Sequence, residues 1–210
     1  MSRYTEEEQI ALIKGWWQRN GMPLMLGVAL AVAIIVGWQM WQKHQADRAA
    51  QLSATYQQLL QLTFTDEQIG LDEAHGLLTR LEELSADSAY TQYGRMTLAR
   101  VAVEHERLED AALQLRKVVE KPANEVLAEL ALQRLARVLV IQGQEQQALD
   151  LLNEAAIDSY QPAREELRGD IQLLLNQPQQ ALESYRRAAT GAAGSPILQM
   201  KIDDLAGKDS

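Results

Sequence analysis

Cysteine is absent from the 210 residues. That excludes disulfides, thiolate metal sites and a cysteine nucleophile. It is compatible with an oxidising compartment but does not require one. Histidine occurs three times, as His44, His75 and His105. The run from His105 to Glu109 reads HERLE and lacks the second histidine of the H-E-x-x-H zinc signature. No glycine-rich phosphate loop, nucleophile elbow or calcium loop is present. The acidic neighbours Glu82-Glu83, Glu165-Glu166 and Asp203-Asp204 are expected on solvated faces, because adjacent helix residues point in different directions. No catalytic, cofactor-binding or metal-binding residue is singled out, and the reading is a non-enzyme without a cofactor.

Charge is missing from one long stretch. Between Arg19 and Lys43 there is none, and Met22–Met40 reads MPLMLGVALAVAIIVGWQM. As a helix, about 20 residues span about 30 Å, the thickness of a bilayer's hydrocarbon core. A cleaved signal has a shorter apolar run and a small-x-small site, whereas Trp38, Gln39, Met40 and Trp41 follow here. Trp16, Trp17, Trp38 and Trp41 flank the run as an interfacial aromatic belt would. An uncleaved membrane anchor at residues 22–41 is expected. Arg3, Lys14 and Arg19 precede it, against Lys43 and Arg48 just after it. The positive-inside rule then favours a cytoplasmic N-terminus, hence a type II protein with its large C-terminal part exported. Within the span, Ala29, Ala33 and Gly37 repeat at four-residue spacing, which would allow a neighbouring helix to approach closely.

Residues 1–21 read as a cytoplasmic tail. Thr5 and Glu8 have capping-box spacing, and Ile10, Ile13 and Trp17 share a helix face. Two readings stay open: a short amphipathic helix on the membrane surface, broken off at Gly21 and Pro23, or a plain continuation of the anchor helix.

Residues 42–210 form the exported domain. The net charge is −9, and all of it lies beyond residue 42, where 17 basic residues meet 26 acidic ones. An acidic surface repels phosphate backbones, so nucleic acid is not an expected partner. The domain shows no strand signal. Its first segment puts Leu52, Tyr56, Leu59 and Leu60 on one helix face. The stretch LARVLVIQGQEQQALDLLNEAA then has Leu135, Ala136, Leu139, Gly143, Ala148, Leu152 and Ala155 at tetratricopeptide positions. Ala136 and Ala148 lie where paired helices cross, and Gly143 marks the turn between them. A weaker unit before it has Leu98, Ala99, Ala102, Ala111, Leu115 and Val118, ends at Pro122, and carries Glu106 where glycine is common. The unit after it has Gly169, Ala181, Tyr185 and Ala188, with Asn176-Gln177-Pro178 in the turn, and a degenerate first unit has Ala74, Leu78 and Leu81. Ala74, Ala111, Ala148 and Ala181 stand 37, 37 and 33 residues apart, near the 34 of such repeats. Ser195-Pro196 then opens a last helix with Leu198, Ile202 and Leu205 on one face, Asp203 and Asp204 outward, and Gly207 at its end. The expected architecture is all-α: one N-terminal transmembrane helix, then a tetratricopeptide-like solenoid of helical hairpins closed by a polar-faced capping helix. The Gln-rich stretches 142–147 and 177–180 read as turns and solvated helix starts. Which exposed residues line a binding groove is not legible at this level.

The tail and span with Gly37-Trp38, RLARV at 134–138, ELRGD at 166–170 and LQMKIDDL at 198–205 resemble the YfgM-type ancillary subunits of the bacterial Sec translocon. The resemblance runs nearly the whole length. It implies a type II inner-membrane protein with a periplasmic repeat domain, partnered by the SecYEG channel and by a membrane-anchored periplasmic chaperone of the PpiD type. The implied role is to help pass newly exported chains to periplasmic chaperones. No functional residue carries over individually. Alternatives are an envelope scaffold for cell division or cell-wall assembly, and a membrane-held regulator acting through its tail. Beyond proteins, the only other expected partner is membrane lipid; no small-molecule substrate is implied.

Overall fold

In a computed structural model the chain divides into two compact units, residues 1–50 and 51–210. The structure describes residues 6–65, 71–153, 157–191 and 195–207. Helix α1 (Glu6–Thr65) begins the described chain. Thr5, half of the expected capping box, lies outside the described residues.

In the first unit α1 runs through Gly21 and Pro23 without a break. Of the two readings of the tail, the structure has the continuous helix and not the broken one. Gly21 serves another purpose there: Trp17 lies over it, within 3.3 Å of where a Cβ would stand. A helix that meets lipid keeps its hydrogen bonds inside itself and tolerates proline. Between residues 22 and 40 the large apolar side chains stand out from the helix, Met22 at 75% exposure and Leu26 at 68%. A core helix of a soluble protein would bury them. Among the described helices, this one is long and apolar enough to cross a membrane.

The second unit is a stack of helical pairs. It holds the C-terminal end of α1, then α2 (Leu71–Ser85), α3 (Ala89–Glu104), α4 (Leu108–Glu120) and α5 (Glu125–Ile141). After these come α6 (Glu145–Leu151), α7 (Gln161–Leu174), α8 (Pro178–Gly191) and α9 (Pro196–Ala206), with a 3-10 turn at Asp158–Tyr160. No strand occurs among the described residues. Ala74, Ala111, Ala148 and Ala181 sit on α2, α4, α6 and α8, and all four are fully buried. These are the second helices of successive pairs, so the alanines mark one repeated position. Their small side chains let the backbones approach. Gly169 does the same on α7, where a Cβ would collide with the Tyr185 ring.

The turns repeat as well. Glu106 (φ 59°), Gly143 (φ 73°) and Asn176 (φ 56°) are all left-handed, and each lies five residues before its alanine. Glycine adopts this conformation freely, asparagine tolerates it, and glutamate is strained there. Side-chain caps fix the helix starts: Ser88 accepts from the Thr91 amide, Asn124 from Leu127 and Ser195 from Leu198. Gln92, nearly fully buried, accepts from the Ala123 amide and donates to the Lys121 carbonyl, tying α3 to the link between α4 and α5.

The second helix of the clearest unit, α6, ends at Leu151, and Ala155, expected at a repeat position, lies outside the described residues. The Leu152 carbonyl, just past that end, accepts from the Arg164 and Arg168 guanidiniums. Arg164 is itself buried and forms a two-pronged pair with buried Glu129, at 2.9 and 2.7 Å. The solvated faces expected for two of the acidic pairs and for α9 need correction. Glu165 is buried; Arg187 donates to it at 2.9 Å. Glu82 likewise accepts from Arg95 at 3.0 Å. The partners come from helices far along the chain, so the local pattern of adjacent acids does not show them. The third acidic pair is as expected, with Asp203 and Asp204 exposed on α9. The outer face of α9 is less polar than expected, since Ile197 and Met200 are exposed.

Two stability outcomes are expected in denaturant titrations of the purified protein. Replacing Glu106 by glycine should raise stability by about 1 kcal/mol, and Gly143→Ala should lower it by about as much. Arg164→Met should cost roughly 3–5 kcal/mol, because it strands Glu129 in the core; pairing it with Glu129→Leu should recover most of the loss.

Candidate functional site

The solenoid has a groove of about 640 Å³, within the roughly 300–1,000 Å³ usual for ligand pockets. Its walls are the first helices of three successive pairs: the end of α1, α3 and α5. Tyr56 and Leu60 come from α1; Tyr93, Thr97, Arg100 and Glu104 form a stripe along α3; Leu130, Arg134, Arg137 and Ile141 form one along α5. Both stripes have steps of four, three and four residues, which keep side chains on one helix face. The stripes are also repeat-equivalent, since 37 residues separate each α3 position from its α5 counterpart. The same step carries Tyr56 to Tyr93 and Leu60 to Thr97. This 37-residue register is the signal that would have found the groove in the sequence. The packed alanines Ala74, Ala111 and Ala148 share that step but lie on the second helices, so they do not point to this face.

The groove is apolar with a charged rim. Met96, Ala99, Leu115 and Val138 are buried beneath it. Tyr56 packs between Tyr90 and Tyr93, with ring centroids 5.9 and 6.0 Å away, so the aromatic end is braced. Ile141 is 59% exposed and Tyr93 41%, which is apolar surface the solenoid itself does not cover. Arg100 donates to Glu104 at 2.7 Å. Arg137 donates to the Gln133 carbonyl at 3.3 Å. Among the described residues, Arg134 and Arg137 have no carboxylate within salt-bridge reach.

A second polar cluster joins α7, α8 and α9. Lys201 donates to Glu166 at 2.9 Å and to Asp170 at 2.7 Å, and the Tyr185 hydroxyl donates to Asp170 at 2.7 Å. Burial pushes the Tyr185 phenol well above its ordinary range, and its hydrogen bond to Asp170 adds to that. For Lys201, burial alone would lower the pKa, but the hydrogen bonds to Asp170 and Glu166 outweigh it and raise the value. The two ion pairs of Lys201 fasten α9 to α7, and the Tyr185 hydroxyl braces Asp170 from α8, so the cluster acts as a latch on α9.

The histidines do not converge. His44 is exposed on α1, His75 is half-buried on α2 and His105 follows the end of α3. Among the described residues, no three metal-binding side chains of the His, Cys, Asp and Glu types gather. The glutamine stretches lie at turns and helix starts, Gln142 closing α5, Gln144 opening α6 and Gln177 preceding α8.

Residues 14–207 match the model of a tetratricopeptide repeat-like domain. The chain is 29% identical to a protein of Haemophilus influenzae over 95% of its own length and 97% of that protein's. It is 29% identical to one of Escherichia coli, covering 95% and 96%, and 24% identical to one of Neisseria gonorrhoeae, covering 98% and 100%. Each of those relatives is called an ancillary SecYEG translocon subunit. A solved structure of Pseudomonas aeruginosa pilF superposes with a TM-score of 0.59 at 22% identity, over 78% of this chain and 71% of the other, which shows the same kind of fold. A repeat-like interaction domain with relatives of that name points to a non-catalytic adaptor.

The α9 latch has a pH signature. Folding raises the Lys201 pKa, so its ion pairs contribute in full below the unfolded value of 10.5 and are lost as pH rises through the folded value. Folding also holds the Tyr185 phenol neutral, and that contribution falls once pH passes 10.0 and the unfolded phenol ionises. The protection factors of the α9 amides, taken relative to the base-catalysed intrinsic rate, should hold from neutrality to about pH 9 and fall from about pH 10 upward. Lys201→Met should lower them already at neutral pH.

Proposed function

This chain belongs to the tetratricopeptide repeat-like family, and from that premise we propose that it is a membrane-anchored adaptor associated with the SecYEG translocon. The observation that carries the proposal is the end-to-end match to the ancillary SecYEG translocon subunits, which includes both the apolar helix and the repeats. The exposed apolar run of α1 supports anchoring, since lipid is the solvent that removes its cost. Residues 22–41 cross the inner membrane, residues 1–21 stay in the cytoplasm and residues 42–210 work in the periplasm. The excess of Lys and Arg before the span supports that orientation.

The mechanism is tethering. Fixing the repeat domain beside the channel raises its effective concentration for chains that emerge there. The domain then helps pass those chains to periplasmic chaperones, including one of the PpiD type. It needs no catalytic group, cofactor, nucleic acid or small-molecule substrate to do so.

Photo-crosslinking in intact membranes tests this, with one probe at Ala33 in the span and one at Thr97 in the groove. The expected products are translocon subunits from Ala33 and a periplasmic chaperone or exported chain from Thr97. Division proteins alone, or a reporter showing the C-terminus in the cytoplasm, would overturn the reading.

A further inference from the structure

We propose that the groove between the end of α1, α3 and α5 receives a segment of a partner polypeptide in which carboxylates alternate with apolar side chains. The inference deepens the adaptor reading and rests on it for the groove's role in partner binding.

Charge is the first reason. The residues beyond 42 carry 26 acidic side chains against 17 basic ones, yet the charged residues lining the groove are Arg100, Arg134 and Arg137 against Glu104 alone. The groove is a cationic place on an anionic body. Arg100 is met by Glu104 within its own helix. Arg134 and Arg137 are exposed, with no carboxylate in reach among the described residues. They lie three residues apart on one helix face and line the same groove, where one bound carboxylate offsets both charges. The guanidinium fork suits a carboxylate, which it meets through two parallel hydrogen bonds.

Apolar surface is the second reason. Leu60, Leu130 and Ile141 line the same groove as the arginines, with the Tyr56–Tyr93 aromatic pair among the other lining residues. A purely charged ligand would leave that surface wet. A peptide with leucine or tyrosine beside its acids covers it. Nucleic acid fits less well, because its backbone repeats its negative charge along a track that would have to cross the acidic surface beyond the groove. A short peptide brings only the charges that the two arginines can meet.

The test uses the full chain in uncharged detergent micelles. One probe is a short fluorescein-labelled peptide of leucine, tyrosine and glutamate; its twin has lysine in place of every glutamate. Anisotropy titrations should show the glutamate peptide binding at least about tenfold more tightly, with the preference shrinking as salt is added. The double variant R134E/R137E should reverse the preference. R134Q/R137Q should abolish it without reversal. Both variants change only exposed side chains, and circular dichroism confirms that they are folded.

Equal binding of the two peptides, no saturable binding, or a preference untouched in R134E/R137E would each overturn the proposal. So would self-association that the double variant abolishes, because the occupant would then be a second copy. Crosslinking of Ala33 to the translocon is expected to survive in R134E/R137E. Its loss in the unaltered chain, with the peptide preference intact, would sink the translocon association alone.

Discussion

Two helices can pack closely only where the side chains between them are small, and this stack depends on that constraint. At Ala74, Ala111, Ala148 and Ala181 the intruding group is one methyl, fully enclosed. At Gly169 even a methyl would strike Tyr185, and at Gly94 a Cβ would come within 2.8 Å of Leu81. Larger residues at these points would hold the helices apart and open the apolar layers beside them. Because each pair buries its face against its neighbours, the apolar interior falls into successive clusters along the stack. The left-handed turn five residues before each of the last three alanines sets the register. A turn of fixed length delivers the second helix with its alanine already opposite the first.

That regularity is why the fold was legible in the sequence. The alanines, Gly143 and Ser195 owe their identity to local geometry, and local geometry leaves a mark at short spacing. Glu106 was noticed as a departure, and its φ of 59° shows that the turn takes the same shape without glycine. Of the two open readings at Gly21 and Pro23, the unbroken helix holds for a related reason. Both are breakers in water, but a long apolar helix has no better place for its backbone than its own hydrogen bonds.

Long-range polar pairs left no such mark. Glu129 and Arg164 are 35 residues apart, and Glu165 and Arg187 are 22 apart. Each looks in sequence like an ordinary surface charge. Just past the end of α6, the Leu152 carbonyl accepts from both Arg164 and Arg168. A buried pair of this kind costs desolvation that its attraction only partly offsets. Here one guanidinium on α7 meets both the Glu129 carboxylate of α5 and the Leu152 carbonyl just past α6, so it links three helices.

The groove residues escaped for the opposite reason. Packing constrains the alanines and leaves the open face of each first helix unconstrained. Across one repeat step Tyr93 becomes Leu130, Thr97 becomes Arg134, and Glu104 becomes Ile141, while Arg100 is matched by Arg137. The positions at the closest helix crossings hold: Ala99 is matched by Ala136, Ala111 by Ala148, Leu98 by Leu135 and Leu115 by Leu152. Positions that steric fit releases are the ones free to take the chemistry of a partner. An acidic body keeps the domain soluble and repels most polyanions. The same repulsion makes a small cationic and apolar recess selective, since an acidic segment gains attraction there that the net negative body does not offer. The repeat supplies the shape, and the residues it does not need for shape supply the choice of what binds.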